Sequence, residues 1–195
     1  MNLFEFLLVV VSILLGLGIT ELLSGVVRVL RGELPAGRLH TLWILIVFLV
    51  QGQLAWGLWL LRSVEEWRYP EFLLLLSGPI VLYMAAAVLF PATASSGNLD
   101  AHLMRRRRAF FLLMVAYVCF TALFELFLLH ERLELVPTAF RLLAAALLAA
   151  LAISKRRGLH WALALVVLAS QLWFTYSYTF VLAASPTVHP GASVQ

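Results

Sequence analysis

Residues 3–27 read LFEFLLVVVSILLGLGITELLSGVV, a run whose only charges are Glu5 and Glu21 and which meets its first basic residue at Arg28. Its length matches the roughly 20 apolar residues that carry an α-helix through the hydrocarbon core of a bilayer. No basic segment precedes the run and no small-residue cleavage site stands before its polar end. It therefore reads as a retained helix rather than a removed secretion signal.

Working outward, hydrophobic windows between charge and proline punctuation predict five more spans, over 40–61, 70–90, 109–130, 137–154 and 159–183. The expected fold is all-α: a single domain of six transmembrane helices over 1–183, followed by a disordered tail over 184–195. Composition points the same way. Of 195 residues 63% are hydrophobic and 12% charged, against roughly 45–50% apolar and about 25% charged in soluble domains. The one cysteine, Cys119, lies in an apolar run, which excludes an internal disulfide and dithiol redox chemistry.

A formal net charge of +4 would hint at nucleic acid in a soluble protein, but in a membrane chain basic residues report sidedness. The connections after spans one, three and five carry ten of them: Arg28, Arg31, Arg38, Arg105, Arg106, Arg107, Arg108, Lys155, Arg156 and Arg157. Arg62, Arg68, Arg132 and Arg141 fall on the other side. Basic loops resist translocation, so the first set should be cytoplasmic and both termini outside. No nucleic-acid partner is expected. Thirteen of the fourteen basic residues are arginine, and the arginine-, leucine- and alanine-rich usage suggests a bacterial chain in the inner membrane. Trp43 and Trp161 are placed as interfacial rings on the cytoplasmic side, with Trp59, Trp67, Tyr69, Tyr176 and Tyr178 on the outer side.

The segment from Pro91 to Arg108 is expected to be the longest loop, ending in the run Arg105, Arg106, Arg107, Arg108 just before span four. Such a run anchors topology and also suits anionic lipid head groups. Consecutive arginines outside a span do not make a voltage sensor, which needs them at every third position within one.

Ionisable residues inside a span are costly enough to raise a functional question. Glu21 is the foremost. Around it, Ser12, Gly16, Thr20 and Ser24 recur every fourth residue, beside a second stripe of Gly18, Glu21, Gly25 and Arg28. Small residues let helices approach closely, so span one is expected to lie inside the bundle or at a homo-oligomer interface. Glu125 on span four and Arg141 on span five fall at similar depth on consecutive helices and are expected to form a structural ion pair. Gln51 on span two, and Gln171, Thr175 and Tyr178 along one face of span six, extend the polar set; Gln53 lies near Gln51. Ser77-Gly78-Pro79 is expected to free a carbonyl and kink span three.

Other chemistries lack their residues. No zinc motif, phosphate loop, dinucleotide fingerprint or serine-nucleophile arrangement is present. No metal or cofactor is expected, although His40 and His160, at matching ends of spans two and six, keep a haem-binding redox subunit as a remote alternative. A Leu-His pair followed by Gln eleven residues after the His occurs in both spans, but does not fit a three-plus-three repeat. Two function classes lead. One is a channel or transporter for protons, ions or a small solute, with Glu21 as the titratable site and Gln51, Gln171, Thr175 and Tyr178 as polar lining. The other is a non-transporting accessory or assembly protein whose polar residues only hold helices together. An enzyme is the least favoured class.

Overall fold

The computed structural model describes residues 3–64, 67–92, 98–127 and 135–176, and among them finds helices and no strand. The helices are α1 (Leu3–Leu30), α2 (Arg38–Gly57), α3 (Tyr69–Leu89), α4 (Leu99–Phe127), α5 (Leu135–Ile153) and α6 (Arg157–Phe174), with a short 3-10 turn, Leu58–Ser63, extending α2. The first four are long and apolar enough to cross a membrane. The described part of α5, Thr138–Ile153, is apolar but shorter, and α6 is not among the four.

Helices α1, α3, α4 and α5 form a row in which α3 packs on both α1 and α4, and α4 on both α3 and α5. Helix α2 lies across the row against α1, α3 and α4, and α6 packs on α2 and α5. The links α1–α2, α3–α4 and α5–α6 share one end of this two-layer bundle, called here the basic end because most of the arginines lie in these links or in the helix turns beside them.

Helix α1 buries Leu7, Val11, Leu15, Gly18, Leu22 and Gly25, spaced by three and four residues as one face of a helix must be. It stops in a Schellman turn: Gly32, with φ of 76°, donates to Val29 O at 3.0 Å and Glu33 donates to Arg28 O at 3.0 Å. Only a residue without Cβ takes that left-handed conformation cheaply. Two buried glycines set how closely elements approach. A Cβ on Gly25 would lie 2.3 Å from the Phe90 ring at the end of α3, and one on Gly78 would lie 2.5 Å from the Phe120 ring of α4.

Helix α3 continues through Pro79, with Ser77 Oγ donating to Leu74 O at 2.7 Å. Two expectations change. The arginine run is not loop: α4 begins at Leu99, so Arg105, Arg106, Arg107 and Arg108 occupy its second and third turns. The physical reason is the side chain of Asn98, which accepts from Asp100 N at 2.7 Å and Ala101 N at 3.2 Å and so caps the helix well before the arginines. Trp43 is no interfacial ring. It is fully buried, in edge-on contact with Phe110 and Phe111 at centroid distances of 5.5 and 5.0 Å. The tail over 184–195 lies outside the described residues.

The close approach at Gly25 can be measured. Gly25→Ala forces Phe90 to move and is expected to destabilise by roughly 1–3 kcal/mol, as overpacking does. Gly52→Ala, where a Cβ meets nothing within 4 Å, is expected to change stability by less than about 0.5 kcal/mol. Thermal melting of both variants in detergent, followed by tryptophan fluorescence, compares them.

Candidate functional site

At the basic end, three helices converge on the C-terminal carbonyls of α3. The last carbonyls of a helix have no partner within it. His40 Nε2 from α2 lies 2.7 Å from Leu89 O, and His102 Nε2 from α4 lies 3.1 Å from Val88 O. Arg28 of α1 donates to Pro91 O at 2.9 Å, just past the helix, while its Nε lies 3.6 Å from Glu33. A carbonyl can only accept, so both imidazoles carry their proton on Nε2. His40 is fully buried and packs edge-on against Phe90 at 5.0 Å.

Asp100 completes this end. Its Oδ1 accepts the backbone N–H of His40 at 2.9 Å, an acid placed at the positive first turn of α2. Gly37 makes room for it, since a Cβ there would lie 2.3 Å from the same oxygen. Leu99 N donates to Pro35 O at 3.1 Å, tying the start of α4 to the α1–α2 link.

His160 of α6 repeats the role of His40. Its Nε2 lies 3.0 Å from Ser154 O, just beyond the end of α5, and its ring packs 5.3 Å from Phe111. The shared Leu-His of α2 and α6 thus places an imidazole on the end of a neighbouring helix in both cases, α3 for His40 and α5 for His160. His40 and His160 each use Nε2 on a carbonyl, which leaves a haem reading without its facing ligands. Among the described residues no group of three His, Cys, Asp or Glu could hold a metal.

Inside the bundle, the polar residues singled out from the sequence divide into separate places. Gln53, two residues from Gln51 and so on another face of α2, reaches α6. Its Nε2 donates to Thr175 Oγ1 at 2.7 Å and to Gln171 O at 3.2 Å, while the Thr175 hydroxyl donates to Gln171 O at 2.9 Å. Gln171 and Thr175 therefore meet Gln53 rather than Gln51. Toward the other end, the Arg141 guanidinium of α5 donates to the Glu125 carboxylate of α4. Arg105, Arg106 and Arg108 are exposed, and Arg107 donates to Met104 O at 2.9 Å within its own helix. Tyr178 lies outside the described residues.

Gln51 faces α1 instead. It is 1% exposed, neither its Oε1 nor its Nε2 has a hydrogen-bond partner, and a Cβ on Gly18 would lie 2.9 Å from that nitrogen. Glu21, half-buried, flanks the buried stripe of α1 three residues after Gly18. Helical side chains lean toward the N-terminus, which directs the Glu21 carboxyl back toward the level of Gly18 and Gln51. Among the described residues no hydrogen bond or ion pair reaches Glu21. The α1–α2 contact thus holds a buried amide that the helices themselves leave unsatisfied, with the Glu21 carboxyl on α1 three residues from Gly18. Carboxyl and amide oxygens can take a proton or a small cation, and the amide nitrogen can donate.

The carbonyl contacts of Arg28, His40, His102 and His160, and the bridging role of Gln53, were missed from the sequence. Asn98 and Asp100 did carry a signal, a capping residue followed by an acid in the first turn, but the arginine run obscured it. Comparison with family models, with curated proteins and with solved structures finds no match to this chain.

The Glu125–Arg141 pair can be resolved by a mutant cycle. Arg141→Leu strands a carboxylate between α4 and α5 and is expected to cost roughly 3 kcal/mol. Adding Glu125→Leu is expected to restore most of the lost stability, read from melting in detergent.

Proposed function

We propose that the chain is a small bacterial inner-membrane protein whose six helices all span, with the basic end cytoplasmic and both termini outside, and that it moves protons or small cations through the α1–α2 contact. Glu21 is the titratable group and Gln51 its neighbour. The observation that carries this reading is the fully buried, unpartnered Gln51 amide against Gly18, three residues along α1 from Glu21, which has no partner among the described residues. Burying an amide without partners costs about 1–3 kcal/mol on mutational scales, a cost that a site for a passing ion or proton explains. Gln171 and Thr175 brace α6 on α2 through Gln53.

A bundle this small leaves little room for a complete pathway within one copy, so the reading includes a homo-oligomer. Ser12, Gly16, Thr20 and Ser24 all face outward on α1, and nothing lies within 4 Å of a Cβ on Gly16. This stripe supports packing of α1 against another copy. It equally favours the second reading, an accessory or assembly protein that docks through α1 and transports nothing. Anionic head groups contact Arg105, Arg106 and Arg108 in either case.

Flux separates the two readings. In proteoliposomes, the wild type is expected to pass protons or a monovalent cation, Glu21→Gln to abolish that flux, and Gln51→Leu to reduce it, with all three proteins equally folded by circular dichroism. Absence of wild-type flux across protons, sodium and potassium would leave the accessory reading. Oligomerisation is tested with Gly16→Cys in a Cys119→Ser background. Disulfide-linked dimers in bilayers are the expected result, whereas Leu143→Cys on the exposed face of α5 should remain monomeric.

A further inference from the structure

Between α1, α2 and α6 a groove of about 550 Å³ opens to the outside of the bundle, within the roughly 300–1,000 Å³ of small-ligand sites. Leu22 and Val26 of α1, Leu45 and Phe48 of α2 and Trp161 of α6 line it, with Arg38 at one end. Leu45 and Phe48 are exposed and Trp161 stands at the boundary of exposure. The Arg38 guanidinium is exposed and, among the described residues, pairs with no acid.

The groove has a direction. Its charged end coincides with the start of α2, at the basic end of the bundle, and its apolar wall follows α2 from Arg38 to Phe48. Ten residues of helix rise about 15 Å, half of a hydrocarbon core about 30 Å thick. An apolar channel one leaflet deep, with a cation and an indole at its mouth, has the dimensions and polarity of a single phospholipid. Indole rings favour the level of the head groups, and free arginines there attract anionic ones. The groove is distinct from the exposed arginines of α4, since none of them lines it.

We infer that this groove binds one anionic phospholipid of the leaflet at the basic end, with an acyl chain between α1 and α2 and its phosphate at Arg38. The acyl chain would end beside Phe48, one helical turn short of Gln51. Bound lipid would thus bridge α1 and α2 on the basic side of Gln51.

Native mass spectrometry of the full chain in detergent tests the assignment, using phosphatidylglycerol and phosphatidylcholine with identical acyl chains. One phosphatidylglycerol retained per chain, and markedly less phosphatidylcholine, is expected. Arg38→Gln should weaken retention about fivefold, the effect of one surface cation on an anionic lipid. Leu45→Trp, which fills the groove from an exposed wall position, should abolish it, and Arg62→Gln at the opposite end should leave it unchanged. All variants are first checked for a monodisperse elution profile. Equal retention of both lipids, or retention indifferent to Arg38→Gln and Leu45→Trp, would overturn the assignment. A dimer that Leu45→Trp disperses and lipid does not affect would overturn it in favour of a second copy in the groove.

Discussion

A helix that ends in apolar surroundings must find donors for its last carbonyls, and the end of α3 finds them on three other helices. His40 from α2, His102 from α4 and Arg28 from α1 reach Leu89, Val88 and Pro91 respectively. Two of the links join residues 49 and 63 positions apart and the third joins α3 to the next helix, so satisfying this one terminus also fixes how α1, α2 and α4 are arranged around α3. Leaving a buried carbonyl unpaired costs about 1–3 kcal/mol, enough to favour this arrangement over others with similar apolar contact. Apolar packing alone is permissive in lipid, because lipid tails are as apolar as leucine. The directional contacts at the basic end supply the specificity that such packing lacks.

The number of helices could be read from hydropathy, and for the first four the apolar length needed to cross a bilayer leaves a plain pattern, although α4 starts ten residues before its apolar window. Glu125 and Arg141 could be matched because a short connection makes α4 and α5 neighbours and axial rise gives their depth. The roles of His40 and Asp100 could not. Both depend on which residues sixty positions away come alongside, and no local pattern encodes that. Trp43 illustrates the same limit: a tryptophan near a span end fits an interfacial belt, and only the arrival of Phe110 and Phe111 from α4 makes it core. Gln51 and Gln53 looked like one polar lining from sequence. Their separation of two residues turns them to different faces of α2, and this divides the lining into a brace to α6 and an unsatisfied amide against α1.

That division narrows the functional question. The histidines, Gln53, Thr175 and the Glu125–Arg141 pair each make at least one hydrogen bond to another helix end or side chain, although His40 Nδ1, His160 Nδ1 and Arg141 Nη1 are buried without one. Glu21 and Gln51 have none among the described residues. Gln51 lies in the contact between α1 and α2, which together with α6 line the apolar groove behind Arg38, and Glu21 stands on α1 three residues from Gly18. A carboxyl on α1 without a partner among the described residues is where proton exchange should register.

Infrared difference spectroscopy of the protein in bilayers reads that carboxyl directly, with Glu21→Gln identifying its band. A protonated-carboxyl band that is missing in the variant, and that shifts on transfer to heavy water and interconverts with a carboxylate band as pH changes, is the expected result. A Glu21 band indifferent to both pH and isotope would contradict a proton-exchanging site at the α1–α2 contact.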